Sequence, residues 1–221
     1  ITLSVLHPLQ FDKEFNVPNR FVRQVALAYP NRLKWFFTLS PRSSDALSIV
    51  DDQISKGASG LKLYPSTGFF PNDVELYPIY ERISEFNLPI LFHSGIPFTY
   101  QTLRAKYSNP IFLDDVAVDF PKLKIIIAHI GWPWYNEALV LAQRHREIYI
   151  DISAHYRREI IEKTIKYAGF RKVVFGSDFM GESYYGITPT YITLQLVLAL
   201  QIPNHIKDYI LYKNAQSLLG L

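Results

Sequence analysis

The sequence predicts an α/β protein that folds as a single (β/α)8 barrel of the TIM type, and three observations support this. Seven short runs rich in Val, Ile, Leu and Phe are continuous in hydrophobicity rather than alternating, as is typical of buried parallel strands. Segments with helical spacing of apolar residues separate these runs, which indicates strand–helix–strand units with right-handed crossovers. A length of 221 residues fits one domain and approaches the roughly 250 residues of a typical barrel.

Strands and helices are predicted to alternate along the whole chain. The second helix begins with Ser43-Ser44-Asp45, a good N-terminal cap, and Thr188-Pro189 marks another helix start. The predicted strands are residues 1–6, 33–39, 60–64, 88–93, 123–129, 147–152 and 172–177. The predicted helices are residues 17–29, 43–56, 72–86, 133–146, 156–168, 188–200 and 205–219.

Seven strands are one fewer than this barrel requires. The sequence begins at Ile1, directly in a strand-like run, so we expect the first strand to precede Ile1. Residues 1–221 are then one barrel domain that is incomplete at its N-terminus. An open, doubly wound sheet is the alternative architecture, but no Gly-x-Gly-x-x-Gly follows the first run to favour it.

Composition restricts the classes of partner. The chain is 48% hydrophobic with 15 Tyr, 15 Phe and 3 Trp, which suits a large core and an apolar pocket for a small-molecule substrate. A net charge of +3 with scattered Lys and Arg argues against nucleic acid, and no apolar run reaches the ~20 residues of a membrane span. Without cysteine, any metal must be held by His and carboxylates. We expect a cytoplasmic protein and keep a homodimer open.

Three of the predicted strands end in a side chain that can bind a metal. The run Leu-Pro-Ile-Leu-Phe leads to His93, Leu-Lys-Ile-Ile-Ile-Ala leads to His129, and Lys-Val-Val-Phe-Gly-Ser leads to Asp178. Because barrel active sites lie at the C-terminal strand ends, we expect these three residues to meet. Imidazole and carboxylate ligands suit a divalent metal, zinc first, with manganese or iron as alternatives.

These motifs resemble a known group of enzymes. The segments Pro89–Gly95, Ile127–Trp132, Phe175–Phe179 and Ile210–Leu221 are similar to those of the amidohydrolase superfamily, and within it to the amidohydrolase-2 branch. That branch includes amidohydrolases, lactonases and non-oxidative decarboxylases related to aminocarboxymuconate-semialdehyde decarboxylase. The resemblance covers nearly the whole chain, and it is more specific for the superfamily than for any substrate.

The resemblance implies a role for each strand-end residue. His93 would be a metal ligand, and Asp178 a ligand that also takes a proton from the metal-activated water. His129 would bind a second metal or, in members with one metal, polarise the substrate or orient the water. A hydroxide held between the metal, Asp178 and His129 would then be the nucleophile.

The sequence departs from the family pattern at the first strand. Members carry a His-x-His pair there, and this sequence has none. His7 is followed by Pro8 and lies in what we count as the second strand, so we do not expect it to stand in. Either the pair lies before Ile1, or the protein has lost half of its site and with it both metal affinity and catalysis.

Four further residues are predicted to contact substrate. Lys62 ends the strand before that of His93 and is predicted to point into the barrel mouth, hydrogen-bonding substrate rather than bridging two metals as a carboxylated lysine. The other three follow strand ends, namely Tyr64, Trp132 and His155. Weaker candidates are Phe98, Tyr100 and Glu182, whereas Arg157, Arg158, Lys163 and Lys166 are interpreted as the outer face of a helix.

Three functions remain open at this point. The first is a metal-dependent hydrolase that uses a metal-activated water on an amide, lactone or ester. The second is a decarboxylase, a lyase, with the same metal site; an arginine near the site would favour it, and Arg104 is the nearest candidate. The third is a non-catalytic barrel, favoured only by the missing His-x-His pair.

Overall fold

The computed structural model describes residues 2–10, 16–97, 102–179 and 189–221. Short strands alternate with helices throughout, as predicted. The strands are β1 Ser4–Leu6, β2 Leu33–Trp35, β3 Phe37–Thr38, β4 Leu61–Leu63, β5 Pro89–Phe92, β6 Lys124–Ile127, β7 Ile148–Asp151 and β8 Val173–Val174. The α-helices are α1 Asn19–Ala28, α2 Ala46–Ser55, α3 Tyr77–Glu85, α4 Leu113–Asp119, α5 Tyr135–Arg144, α6 Arg158–Ala168, α7 Pro189–Ala199, α8 Asn204–Asp208 and α9 Asn214–Leu219.

All strand pairs are parallel and follow the order of the sequence. β1 pairs with β2, and β3 to β8 form a six-stranded sheet in chain order. The predicted strand 33–39 is divided into β2 and β3, which pair with different neighbours. Phe36 N donates to Leu6 O of β1 at 2.8 Å, whereas Phe37 N donates to Gly60 O beside β4 at 3.0 Å. The bend at Phe36 thus passes the pairing from β1 on one side to β4 on the other. In the described part of the chain no pair joins β8 to β1, so closure is not detected there.

The strands bury both faces, which explains their unbroken hydrophobicity. Alternate residues such as Ile90 and Phe92 are fully buried in a large cluster that includes Ile79 and Ile83 of α3. The intervening residues form a second cluster in the interior of the sheet: Leu91, Ile126, Tyr149, Val174 and, from α9, Leu218. Full burial stabilises each large apolar side chain by about 1.5–3 kcal/mol relative to exposure. The site residues lie just beyond the second cluster along the strands.

Two helical regions differ from the prediction. α4 was not predicted, although its buried residues Leu113, Val116 and Ala117 have helical spacing. The predicted helix 205–219 consists of α8, a π-helical turn at Tyr209–Lys213 and α9. That turn lies beside β8, where Phe175 N donates to Ile210 O at 2.9 Å and Asn214 Nδ2 donates to Val173 O at 2.7 Å. Among the described residues, none of the helices has the length and apolar character needed to cross a membrane.

Candidate active site

One cavity of about 400 Å³ collects every residue that the sequence singled out most strongly. It lies at the C-terminal ends of the strands, where barrel active sites are built. The predicted residues that line it are Lys62, Tyr64, His93, His129, Trp132, His155 and Asp178. The sequence therefore located the residues of the cavity, while their individual roles stay predictions.

His93 continues the pairing of β5 by one residue, since its N–H donates to Leu63 O at 2.8 Å. Its Nε2 atom is buried and has no hydrogen-bond partner among the described residues. Burial, and then the nearby His129, Lys62 and His7, lower the pKa of His93 far below its ordinary value, so the ring is neutral. A neutral imidazole with an unpartnered buried nitrogen is in the state that binds a metal.

Gly95 explains how the loops after β5 and β6 come together. Its φ of 107° is unfavourable for other residues, and a Cβ there would overlap the carbonyl oxygen of Trp132. The contact is held by Ile96 N, which donates to Trp132 O at 3.0 Å. This contact fastens the two loops that follow His93 and His129, whose ring centroids are 5.3 Å apart.

A relay of hydrogen bonds fixes the ring of His129. Ser153 Oγ donates to Asp151 Oδ2, because a carboxylate can only accept, and it lies 2.9 Å from His129 Nδ1. The single Ser153 hydroxyl proton is thereby used, so His129 Nδ1 must carry a proton and donate it to Ser153 Oγ. The Ser153 carbonyl oxygen, 3.4 Å from the same nitrogen, requires the same assignment. His129 Nε2 is left with its lone pair.

Asp151 also holds the backbone of this region. Its two oxygens accept from His129 N at 3.2 Å and from Ser153 N at 3.1 Å. A Cβ on Gly176 would overlap Asp151 Oδ1, so only glycine allows the chain after β8 to approach this carboxylate. Asp151 and Ser153, which were not predicted from the sequence as site residues, thus connect the ends of β6, β7 and β8.

Two of the three predicted strand-end residues have left-handed backbones. His129 has φ 56° and Asp178 has φ 48°, and Ile130 beside His129 has φ 52°. Such conformations cost roughly 1–3 kcal/mol each in non-glycine residues and concentrate at functional sites. They support the prediction that His129 and Asp178 are functional.

Lys62 is 2% exposed and lines the cavity, as predicted. Burial lowers its pKa to about 8, opposed by the negative charges of Asp178 and Asp151. No described carboxylate lies within ion-pair distance of its Nζ, which sits 5.1 Å from the ring centroid of Tyr64. The Lys62 ammonium group therefore remains available to a substrate oxygen.

Tyr64 and His7 form a pair at the end of β1. Tyr64 Oη donates to Pro8 O at 2.7 Å and lies 3.2 Å from His7 Nδ1. Burial and then Lys62 lower the pKa of His7 to about 4, so this ring is also neutral. His7 lines the cavity although sequence reasoning set it aside. Its position directly after a strand, the same signal that identified His93, would have found it.

The donors for a metal form an incomplete set in the described residues. No group of three His, Asp or Glu side chains within these residues is placed to hold a metal ion, so the predicted set His93, His129 and Asp178 is not assembled as one. The chemistry of the donors nevertheless fits a divalent metal, because His93 has a neutral ring with an unpartnered buried Nε2 and Asp178 supplies a carboxylate.

The wall near His155 contains an arginine that the sequence placed elsewhere. Arg157 lines the cavity, so its assignment to an outer helix face was wrong; it precedes α6, where the chain still faces the cavity. Arg158 does lie outside and pairs with Glu162. Arg104 is not among the described residues that line the cavity, and Phe98, Tyr100 and Glu182 lie outside the described residues.

A sequence model of the amidohydrolase-2 family matches residues 7–221 of the chain. No curated protein is significantly similar to it in sequence. An uncharacterised TIM-barrel protein of Bordetella bronchiseptica superposes with a TM-score of 0.84 at 22% identity, covering 99% of this chain and 78% of that one.

Two enzymes of stated activity have the same fold. A probable 2-pyrone-4,6-dicarboxylic acid hydrolase of Acinetobacter baumannii, with citric acid bound, has a TM-score of 0.73 at 18% identity and covers 100% of this chain and 84% of that one. A dihydroxybenzoic acid decarboxylase of Polaromonas sp. JS666, with bound manganese and 2-nitroresorcinol, has a TM-score of 0.72 at 16% identity, with coverages of 92% and 74%. These likenesses confirm the predicted α/β barrel fold.

Proposed function

Because the chain belongs to the amidohydrolase-2 family, we propose that it is a metal-dependent hydrolase that cleaves an amide, lactone or ester in a small molecule. The observation that carries the proposal is the unpartnered Nε2 of His93, buried in the same cavity as His129 and Asp178. A buried polar atom without a partner is rare in proteins and calls for a ligand or ion. His93 and Asp178 would hold the metal, which would supply Lewis-acid activation of water.

Zinc is the first candidate metal, because imidazole and carboxylate donors suit it. Manganese is supported by the manganese bound to the decarboxylase of similar fold. His93 and Asp178 supply two donors to the proposed ligand set, which requires further donors to complete the coordination of the metal.

The remaining residues have roles that follow from their protonation. Asp178 would accept the proton of the attacking water. His129 Nε2, which holds a lone pair because Nδ1–H is committed to Ser153, would orient that water, and Asp178 would pass the proton that it has accepted to the leaving group. A lone pair cannot polarise a carbonyl, so this tautomer favours the water-orienting role over the substrate-polarising one. The Lys62 ammonium group would bind the substrate oxygen on which negative charge develops.

A decarboxylase of the same family is the second candidate. The position of Arg157 on the cavity wall favours it, because a guanidinium group could hold the carboxylate of an acid substrate. The decarboxylase of similar fold gives this alternative further support. In that reaction the carbon that loses CO2 gains a proton, which His129 Nε2 would first accept from solvent water and then deliver.

Metal content and a panel of substrates test the proposal. The purified full-length protein should contain a divalent metal by elemental analysis; the absence of metal would contradict both enzyme proposals. Lactones, amides, esters and aromatic carboxylates are then assayed with the wild type and with Asp178→Asn. Ring opening or amide cleavage supports the hydrolase, whereas release of CO2 supports the lyase. Asp178→Asn should lower kcat by about 10²–10⁴-fold, while Asp52→Asn, at an exposed ion pair with Lys56, should not.

A further inference from the structure

His7 is a cavity residue to which the proposed function gives no role. It follows β1 directly, it is half-buried, and it lines the cavity together with Lys62 and Asp178. The charges of both residues lie near enough to influence the pKa of His7, that of Lys62 more strongly. His7 therefore lies beside the groups that the proposed reaction uses.

Hydrogen bonds behind the ring determine which nitrogen of His7 carries the proton. Tyr64 Oη donates its one proton to Pro8 O at 2.7 Å, because a carbonyl oxygen can only accept. Tyr64 Oη lies 3.2 Å from His7 Nδ1 and must then accept a proton from that nitrogen. The Pro8 carbonyl oxygen, 3.4 Å from His7 Nδ1, requires the same assignment. In the neutral ring Nε2 therefore holds a lone pair.

The lone pair of His7 Nε2 is available to a ligand. No described residue donates a hydrogen bond to this atom, and, unlike His93 Nε2, it is not fully buried. Burial and then the charge of Lys62 lower the pKa of His7 to about 4, so the ring stays neutral at neutral pH. Within the cavity His7 Nε2 is thus an acceptor and not a donor.

Lys62 supplies a donor near this acceptor. Its Nζ lies 5.1 Å from the ring centroid of Tyr64, the same residue to which His7 Nδ1 donates. The ammonium group carries three N–H donors, and none of the described carboxylates forms an ion pair with it. Tyr64 therefore holds one acceptor and one donor against the same part of the cavity.

This pairing of acceptor and donor distinguishes amides from esters. The two oxygens of an ester or lactone group are both acceptors, so they would leave the lone pair of His7 Nε2 unpaired, at a cost in binding. A primary or cyclic amide has an N–H on the same side as its C=O. The C=O can accept from Lys62 Nζ while the N–H donates to His7 Nε2.

We propose that His7 is a substrate-binding residue that recognises the N–H of a cyclic or primary amide, in preference to a lactone or ester. The inference deepens the proposed function and rests on it for the role of Lys62 at the carbonyl oxygen. Tyr64 is then a positioning residue that fixes the tautomer of His7. In the reaction, water adds O–H to the carbonyl carbon, its other proton passes through Asp178 to the nitrogen, and the C–N bond breaks.

Three five-membered rings of similar size test the inference by binding alone. 2-Pyrrolidinone has an N–H beside its carbonyl group, N-methyl-2-pyrrolidinone lacks that N–H, and γ-butyrolactone has an oxygen in its place. The titrations use the full-length protein with Asp178→Asn, which suppresses ring opening, and are followed by NMR. The protein should bind 2-pyrrolidinone about 5–10-fold more tightly than the other two rings. The nitrogen resonance of His7 Nε2 should shift with 2-pyrrolidinone only.

Variants of His7 and Lys62 separate the two contacts. His7→Phe retains a ring without a lone pair, so it should abolish the preference and leave the affinity for γ-butyrolactone within about twofold. His7→Gln retains an acceptor and should keep part of the preference. Lys62→Met should weaken the binding of all three rings by a similar factor. His205→Phe is the matched control and should change nothing, since His205 is exposed and does not line the cavity.

The binding preference and the proposed hydrolysis can fail separately. A preference for 2-pyrrolidinone that disappears in His7→Phe supports the inference even where no substrate is hydrolysed. Equal affinity for the three rings, a preference that persists in His7→Phe, or no binding of any ring would overturn it, and a protein that opens lactones would still be a hydrolase. Circular dichroism confirms the fold of each variant. The shift of the His7 Nε2 resonance is measured with His7 intact, so it tests the contact even where His7→Phe does not fold.

Discussion

Ser153 controls the orientation and the tautomer of His129 through its hydroxyl group. It lies between the Asp151 carboxylate and His129 Nδ1, and it is 4% exposed, so water does not replace its hydroxyl readily. The hydroxyl is the nearer of two Ser153 oxygens that favour a proton on His129 Nδ1, at 2.9 Å against 3.4 Å for the carbonyl oxygen. Sequence reasoning identified His129 from its strand end but not its partner, because that partner comes from the next strand, 24 residues away.

We therefore predict that Ser153→Ala lowers activity by about 10–100-fold, the usual effect of removing the group that orients a functional histidine. Nitrogen NMR of the histidine rings should show a rise in the Nε2–H tautomer of His129 at the same time. The conservative variant Ser153→Thr keeps a hydroxyl group and should therefore retain both the Nδ1–H tautomer and most of the wild-type activity. Lost activity with an unchanged tautomer in Ser153→Ala would contradict the relay.

His155 gives a prediction about pH. The folded protein disfavours the charged ring, whose pKa is about 4 rather than 6.5. Between these values the unfolded chain binds a proton that the folded protein does not, so stability falls as the pH falls from about 6.5 to about 4. Urea unfolding at about pH 7.5 and pH 5 should show that His155→Gln loses about 2 kcal/mol less than the wild type over this interval. An equal loss in both proteins would mean that His155 is not held neutral.

Lys62 illustrates a conflict between stability and function. Its pKa of about 8 means that the buried charge of Lys62 destabilises the folded protein at neutral pH. The free energy of unfolding should therefore rise as the pH rises from about 8 to 10.5. We predict that Lys62→Met increases the free energy of unfolding by about 1–2 kcal/mol at pH 7, because it replaces a buried ammonium group with an apolar chain of similar length. The same variant should lose substrate affinity. Lower stability together with unchanged activity would refute the role given to Lys62.

At the level of elements, strand ends and loops determine how accurately the cavity is built. The sequence predicted the strands well because burial on both faces makes their hydrophobicity continuous, as in β5 and β6. It could not predict the bend at Phe36 or the π-helical turn at Tyr209–Lys213, since both arise from pairing with distant segments. It also could not predict that the chain faces the cavity at Arg157 and leaves it at Arg158.

Gly95 provides a prediction at this level. Gly95→Ala combines a backbone of φ 107° with an overlap on the Trp132 carbonyl, whereas Gly57→Ala has φ 87° and no neighbouring atom within 4 Å. Both variants should be destabilised by about 1 kcal/mol through backbone strain, and Gly95→Ala by a further 1–3 kcal/mol through overlap. Urea unfolding measures the difference. Equal destabilisation would show that the loops after β5 and β6 are not held in close contact.

At the level of the whole molecule, the order of parallel strands accounts for both the fold and the position of the cavity. Alternating strands and helices fixed the topology, and that topology brought together residues between 7 and 178 of the chain. The positions of His93, His129 and Asp178 in the cavity could be predicted because each comes at the end of a predicted strand. Tyr135, which also lines the cavity, lies at the start of a helix and lacked such a signal.

Metal binding should be visible in the stability of the entire domain. We predict that zinc at about 100 times its dissociation constant raises the free energy of unfolding by about 2.7 kcal/mol, and that a chelator reverses this. His93→Gln should abolish the increase. His145→Gln is the control, because His145 does not line the cavity. Its Nε2 lies 2.6 Å from Asp114 Oδ1. A zinc effect that persists in His93→Gln would exclude His93 as a ligand.

Leu218 connects the site with the order in which the chain is synthesised. It belongs to the same cluster as Leu91, Tyr149 and Val174, which lie two residues before His93, Asp151 and Gly176. The layer beneath the cavity is therefore complete only after α9 has left the ribosome and docked. A nascent chain in which β1 to β8 have formed but α9 has not docked still lacks this support beneath the cavity, so ligand binding in the cavity should require α9.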